Sequence, residues 1–327
     1  MNGGRCKNCG NSETQPVLRV PAFDSDKTAF AQVYSVDRCS RCGVASSVDV
    51  QSHDLEEAYR QDYYGASDAK FSRAIEGTIR FLARRRARGI LEQWRARSGS
   101  AGPNPKVLDI GCGRGTLLTA FLELGADAMG IERAGFPLDP NLPISRETLD
   151  SDRFSQCRFD IVVIWHVLEH MGGTDQQLQL IRDHMRDDGL LVLAVPNFSS
   201  RQRRWFGEAW FHLDQPRHLV HLEDEWLIKK LTEKGYLIET VGHIDWLQNC
   251  YGFIQSALNK LFPSRLNRLY RLLKYSDEKP LTHVLAKSGW CVLAGLLVPF
   301  AVAECLYSGA FGSGATVSLT ARVTGKK

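Results

Sequence analysis

The chain has 327 residues, 43% of them hydrophobic and 24% charged, with a formal net charge of +4. That composition excludes a disordered or fibrous chain and leaves room for one large domain with an appendage, or for two small ones. So small a net charge gives no reason to expect nucleic acid as a partner, and nine cysteines, an odd count, argue against a dense disulfide framework.

Residues 1–50 form a cysteine-bearing module with strand-like runs at PVLRV and FAQVYSVDRC. Cys6, Cys9, Cys39 and Cys42 make two C-x2-C pairs, each followed by glycine. Two such knuckles bring four thiolates into a tetrahedron, the zinc-ribbon form. Four sulfurs leave no open position, so the expected zinc is structural; a redox dithiol is the competing reading. Cys112, Cys157, Cys250, Cys291 and Cys305 show no partner spacing and read as core thiols. Metal-binding cysteine pairs suit a reducing compartment, and residues 1–20 lack the apolar core of a signal peptide, so a cytoplasmic protein is expected.

Residues 51–104 read as a helical segment and linker. Tyr59, Tyr63 and Tyr64 lie near its start, the arginine-dense stretch 80–97 reads as a solvated helix face, and RSGSAGPNP (97–105) is a linker by composition. From 105 to 249 strands and helices alternate. KVLDIG, ADAMGIER, a short run around 142–149, FDIVVIW, LLVLAVPN and YLIETVGHI are the strands; GTLLTAFLELG, TDQQLQLIRDHMRDDG and EDEWLIKKLTEKG are helices. Continuous apolar strands between amphipathic helices mean a parallel sheet covered on both faces, an α/β fold.

Residues 250–312 break this rhythm. RLNRLYRLLKY is basic and amphipathic, and GWCVLAGLLVPFAVAECLY (289–307) is the most apolar window of the chain, interrupted by Pro299 and closed by Glu304. A spanning helix wants about 20 uninterrupted apolar residues, and this run falls short of that. It reads either as core packing or as an in-plane anchor, a peripheral contact at the inner face of a membrane. The final stretch, 313–327, alternates like a strand.

VLDIGCGRGTLL places Gly111, Gly113 and Gly115 between a strand and a helix, where glycine lets the backbone approach a ligand at the strand's carboxyl end. Glu132 closes the second strand about 20 residues on, where an acid can accept hydrogen bonds from ribose hydroxyls. The third glycine comes one residue earlier than in the dinucleotide pattern GxGxxG, and Asp109 stands just before the loop. Negative charge there suits an ammonium-bearing ligand better than a pyrophosphate, which favours S-adenosylmethionine over a nicotinamide dinucleotide.

Taken together, VLDIGCGRG, the acid in GIER, FDIVVIWHVLEH, GLLVLAVPN and PRHLVHL resemble a class I S-adenosylmethionine-dependent methyltransferase over roughly residues 105–245 plus the terminal strand. The resemblance implies a Rossmann-like seven-stranded sheet whose last strand runs antiparallel. Here the usual hairpin before that strand would be replaced by a helical insertion. It implies cofactor contacts at Asp109, Gly111, Gly113, Gly115 and Glu132, and adenine contacts after the third strand at Leu149 and Asp150. A cysteine module followed by YRQDYYG and this core also resembles sugar-nucleotide C-methyltransferases.

Methyl transfer is an in-line displacement that gains most from alignment and needs a base only when the acceptor loses a proton. Histidine suits that role, and His166, His170, His218 and His221 are the candidates, with Glu169 among them. WHVLEH is similar to the EVLEH run of ubiquinone-pathway O-methyltransferases, where acids and histidine are linked to a divalent metal. His166 stands where the first acid would be, which weakens a metal reading and leaves Glu169 and His170 as matched ligands. His218 or His170 is the expected base, and Arg217 is expected to steady an anionic substrate. The reading is a methyltransferase acting on a sugar, lipid-linked or envelope-glycan acceptor. A quinone-like small-molecule O-methyltransferase, a nicotinamide-dependent oxidoreductase and a non-catalytic scaffold are the alternatives.

Overall fold

A computed structural model describes residues 4–23, 32–59, 71, 73–96, 104–132, 138–274 and 281–324. Tyr63, Tyr64 and most of the linker at 97–105 lie outside the described residues.

The N-terminal part contributes β1 (Thr14–Pro21), β2 (Val33–Cys39) and β3 (Ala45–Ser47), followed by α1 (Ser52–Ala58) and the long α2 (Arg73–Arg95). The alternating region runs through β4 (Lys106–Ile110), α3 (Thr116–Glu123), β5 (Asp127–Ile131), β6 (Ile144–Ser145), β7 (Phe159–Trp165), α4 (Thr174–Asp183) and β8 (Met185–Pro196). It continues with α5 (Arg201–Phe206), β9 (Val220–His221), α6 (Asp224–Glu233) and β10 (Tyr236–Gly242). Then come α7 (Trp246–Leu261), α8 (Arg268–Leu273), α9 (Leu281–Ala310) and β11 (Thr316–Val323). The helix expected over 174–189 ends at Asp183, because Met185 already pairs with Phe159 and opens β8.

Seven strands form one sheet in the order β10-β11-β8-β7-β4-β5-β6. The neighbours from β8 to β6 are parallel, and β11 is antiparallel to both β8 and β10. This is the Rossmann-like sheet with an antiparallel last strand that the resemblance implies. Strand alternation sends Val107, Ile161, Val163, Leu190 and Val192 against Ala87, Leu91, Leu118 and Phe121 of α2 and α3. Leu108, Val162, Ile164, Leu191 and Leu193 face the other way, against Leu178, Ile181, Leu227 and Leu231 of α4 and α6. Both faces are covered, which is why these strands read as continuous apolar runs.

A second sheet, β1-β2-β3-β9, joins the cysteine module to the core. Its fourth strand comes from HLVHL: Ala45 pairs with His221 and Ser46 with Val220. The boundary drawn after residue 50 is therefore a boundary in sequence rather than in packing. Trp226 donates its indole N–H to the Cys42 carbonyl (3.1 Å), Gly173 donates to the Lys7 carbonyl (2.8 Å), and Arg38 pairs with Glu223 (2.6 Å).

Between β10 and β11 the insertion builds its own small core from Ile254, Leu258, Leu269, Leu272, Trp290 and Ala301. Here the sequence expectation needs correction. The apolar run is one 30-residue helix that continues through Pro299, and Lys287–Ala310 is long and apolar enough to cross a membrane by length and composition. Packing of one stripe on α7 outweighs the local cost of a proline. Glu304, which looked like an end to the run, is buried: Gln202 and Ser308 donate to its two oxygens, each at 2.5 Å.

Removing that carboxylate would strand the Gln202 amide and the Ser308 hydroxyl in a buried place. Glu304→Ala is expected to cost about 2 kcal/mol and Glu304→Gln less than half of that, measured by urea denaturation of the whole chain.

Candidate active site

Three glycines turn the chain from β4 into α3, all with positive φ: Gly111 (70°), Gly113 (55°) and Gly115 (77°). A Cβ on Gly111 would lie 2.3 Å from Val167, and one on Gly115 would lie 2.4 Å from Leu142, so those two are required by protein packing. Gly113 faces open space, with nothing within 4 Å of such a Cβ. Its backbone N–H donates to Glu132 Oε2 at 2.8 Å, so the acid of β5 is held at the open turn.

Asp109 ends up beneath the loop, 3% exposed, with Oδ2 lacking any hydrogen-bond partner among the described residues. Burial, helped by the nearby charge of Glu132 and opposed by Arg86, pushes its pKa up to about 7. A buried carboxylate with an unspent acceptor, next to an open glycine turn, is a fitting place for a cationic group. Leu149 packs into the core beside Ile110 and Ile131, and Asp150 lies at the surface.

Arg86 was not legible as a site residue, since the arginine stretch reads as solvated. In the fold its guanidinium lies 3.7 Å from the centre of the Trp165 ring, pairs with Asp245 at 3.3 Å and acts on Asp109 through its charge. Arg114 of the glycine loop pairs with Glu76 of α2 at 2.8 Å. An acid with an arginine 38 positions away carries no local signal.

The end of β7 carries the second half of the site. His166 adopts φ 55°, a left-handed conformation costly for a residue with a Cβ, and so directs its ring towards Glu169, with Nδ1 3.4 Å from Oε1. Glu169 is 2% exposed, and among the described residues neither carboxylate oxygen makes a hydrogen bond of normal geometry. Burial alone would raise its pKa; the imidazoles of His166, His170 and His218 overcome that and hold it at about 2. His218 Nε2 stands 4.0 Å from Glu169 Oε1 and 3.7 Å from Asp214, and its Nδ1 lies 2.8 Å from the His212 carbonyl. His170 and His218 meet edge to face with ring centres 4.6 Å apart, and the Tyr59 hydroxyl lies 3.0 Å from His170 Nδ1. Glu169, His170 and His218 each offer one ligand atom, all within 4.8 Å of one another.

Two candidates have other partners. His221 is buried between Ser47 (3.4 Å) and the Gln215 amide (3.2 Å), where it ties the module's sheet to the loop. Arg217, expected to steady an anionic substrate, is 2% exposed, paired with Asp214 and stacked 4.6 Å over Phe23. A guanidinium already matched to a carboxylate has little charge left for a substrate. Asp214, His212 and Tyr59 join the cluster without any sequence spacing that marks them.

The cysteines meet as expected. All four Sγ atoms lie within 4.8 Å, with Cys6–Cys42 at 3.7 Å and Cys9–Cys39 at 3.6 Å. Tetrahedral zinc with bonds of about 2.3 Å spaces its sulfurs about 3.8 Å apart, so the donor set fits that ion. Gly10 (φ 73°) and Gly43 (φ 75°) close the knuckles by donating to the Cys6 and Cys39 carbonyls. Burial would raise Cys39, but backbone N–H groups of Cys42 and Arg41 bring it to about 6.

This fold and this loop define a class I S-adenosylmethionine-dependent methyltransferase. The family described as "Methyltransferase domain" matches residues 71–241, just over half of the chain, and the chain belongs to it. It is similar to a ubiquinone biosynthesis O-methyltransferase of Glaesserella parasuis, 29% identical over 115 residues, or 29% of this chain and 47% of the relative. A second relative of that description, from Roseobacter denitrificans, is 29% identical over 174 residues, covering 43% of this chain and 68% of the relative. The chain spans about half the length of the first curated relatives it matches. A solved methyltransferase from Archaeoglobus fulgidus is 18% identical, with a TM-score of 0.43 over 74% of this chain and 94% of that one.

Burial lowers His212, His218 and His221 from 6.5 to about 3, 4 and 3. The unfolded chain therefore binds more protons between 6.5 and about 4, and folding stability falls as pH drops through that window. Glu169, held at about 2 against 4.5, adds a loss of the same sign below 4.5, while Asp109 opposes it between 3.8 and 7. The denaturation midpoint is expected to be lower at about pH 5 than at pH 7.5, with a flatter profile in His221→Gln.

Proposed function

We propose that the protein transfers a methyl group from S-adenosylmethionine to a hydroxyl of a small-molecule acceptor, with His218 as the base. The juxtaposition of the Asp109–Gly113–Glu132 turn with the Glu169–His170–His218 cluster at the end of the neighbouring strand carries this reading. The cofactor supplies an electrophilic methyl on a sulfonium. Asp109 would hold the ammonium of its methionine part and Glu132 its ribose, with Gly113 leaving room for the backbone to close on it. His218 leans its Nδ1 on a carbonyl, which leaves Nε2 to accept the acceptor's proton. Glu169 would stabilise the imidazolium that results. The ubiquinone O-methyltransferase relatives support a quinone-like phenol as acceptor over a nucleotide sugar. The four cysteines would hold structural zinc, and a reducing, cytoplasmic location would keep them available to it.

A second reading adds a divalent ion at Glu169, His170 and His218, favoured by the convergence of three ligand atoms from two loops. Those three side chains would hold it, and it would supply Lewis-acid polarisation of the acceptor hydroxyl. Activity unchanged after exhaustive treatment with a chelator too weak to strip four thiolates would reject it.

Calorimetry checks the cofactor half. S-adenosylmethionine affinity should rise with pH towards about 7, as Asp109 ionises, and fall again above about 8 as the ligand's ammonium loses its proton; Asp109→Asn should weaken binding and abolish the rise. Binding of NAD instead would defeat the assignment. Turnover against a panel of phenolic and catecholic acceptors checks the other half. His218→Ala should lower kcat by roughly 10²–10⁴ with cofactor affinity nearly intact, whereas His221→Ala should mainly lower stability.

A further inference from the structure

From Ser288 to Gly314 the chain carries a single ionisable acid or base, Glu304, apart from its cysteine thiols and Tyr307. Glu304 is turned inward. The buried stripe of α9 is Trp290, Ala301, Cys305 and Ser308, with Ala294 and Leu297 partly buried along it. The opposite stripe is apolar and bare: Val292 is 64% exposed, Leu296 66% and Phe300 64%, followed by Leu306, Tyr307 and Phe311. A helix on the surface of a water-soluble domain places charge on such a face; this one places none over more than five turns. The patch is extended at one end by Ile244, Trp246 and Leu247, and at the other by Leu261 and Phe262, all exposed.

The rim is basic. Arg201 lies 4.2 Å over the Tyr307 ring and 5.6 Å from that of the half-exposed Trp205. Arg204 and Lys260 line a cavity of about 430 Å³ with Trp205 and Asn259, in which Glu208 is the one acid. Aromatic and apolar side chains inside a cationic border match an anionic lipid surface: hydrocarbon meets the patch and headgroup phosphate meets the rim.

We propose that this face docks on an anionic bilayer with α9 lying in the plane of the membrane. Length alone would allow α9 to span, but both of its ends are fastened to the same body. Trp290 packs with Leu269, Leu272 and Phe262, while Glu304 and Ser308 are tied to Gln202 of α5. β11 then returns at once to the sheet between β10 and β8, with Thr316 opposite Pro196. The docked layer also touches the active site. His212 Nε2 lies 3.2 Å from the Gln248 carbonyl of α7, and the His212 carbonyl holds His218. Resting on the methyl-transfer reading of that site, the acceptor is a molecule that resides in the membrane and enters from its surface.

Flotation of the full chain with vesicles tests this. Wild type should bind phosphatidylcholine vesicles containing about a quarter phosphatidylglycerol and bind pure phosphatidylcholine more weakly. Leu296→Glu with Phe300→Glu should weaken binding at least about tenfold. Melting temperature should stay unchanged, because both side chains already face outward. Arg204→Glu with Lys260→Glu should remove the preference for phosphatidylglycerol. Wild type that leaves both vesicle types free overturns the proposal. So does a wild-type dimer that the α9 variant converts to monomer without any vesicle binding, since a second copy would then cover the face. Calorimetry with S-adenosylmethionine keeps the two claims apart: cofactor binding without vesicle binding sinks the docking surface alone, and the reverse sinks the reading of the site.

Discussion

A carboxylate as deeply buried as Glu169 stays ionised only if positive or proton-donating groups surround it, and that requirement organises the functional half of this protein. His166 and His170 come from its own turn, but His218 must be brought from the loop after α5. That loop is held by Ser47, whose hydroxyl donates to the His218 carbonyl at 2.8 Å, and by pairing of β3 with β9. β3 follows directly on the Cys39–Cys42 knuckle, so the cysteine cluster reaches the active site through a short chain of hydrogen bonds. The module is better seen as a wall of the site than as an appendage.

Charge is treated oppositely in the two halves of the site. Glu169 is held ionised by three imidazoles, while Asp109, buried with Arg86 as its main compensation, sits close to neutrality. One carboxylate is balanced by imidazoles around it, and the other keeps an oxygen without a hydrogen-bond partner among the described residues.

The helical insertion repeats this logic on a larger scale. α9 packs one stripe on α7 and leaves the other bare, and the only acid in its long apolar stretch is sealed inside by Gln202 and Ser308. Placing the acid inward and the hydrocarbon outward inverts the pattern of a water-facing helix.

Much of this was written locally in the chain. The period of the apolar residues already marks a parallel α/β sheet covered on both faces, and the two CxxCG knuckles mark a four-thiolate cluster. The resemblance of the glycine turn and its neighbouring motifs implies seven strands. Each strand, turn or knuckle is recognisable from residues a few positions apart. The WHVLEH run determined that a polar group would stand at the end of β7. Tertiary structure alone decided who its partners are. His166 orients Glu169, whereas Arg217 is consumed by Asp214 and His221 by the module's sheet. Arg86 leaves an apparently solvated helix to meet Trp165 and Asp109, and Pro299 sits inside a continuous helix. Some of those partners are only three positions apart, as for His166 with Glu169 and Arg217 with Asp214, and others lie much further along the chain, as for Arg86 with Trp165. In each case burial and charge balance in the folded state outweigh local propensity.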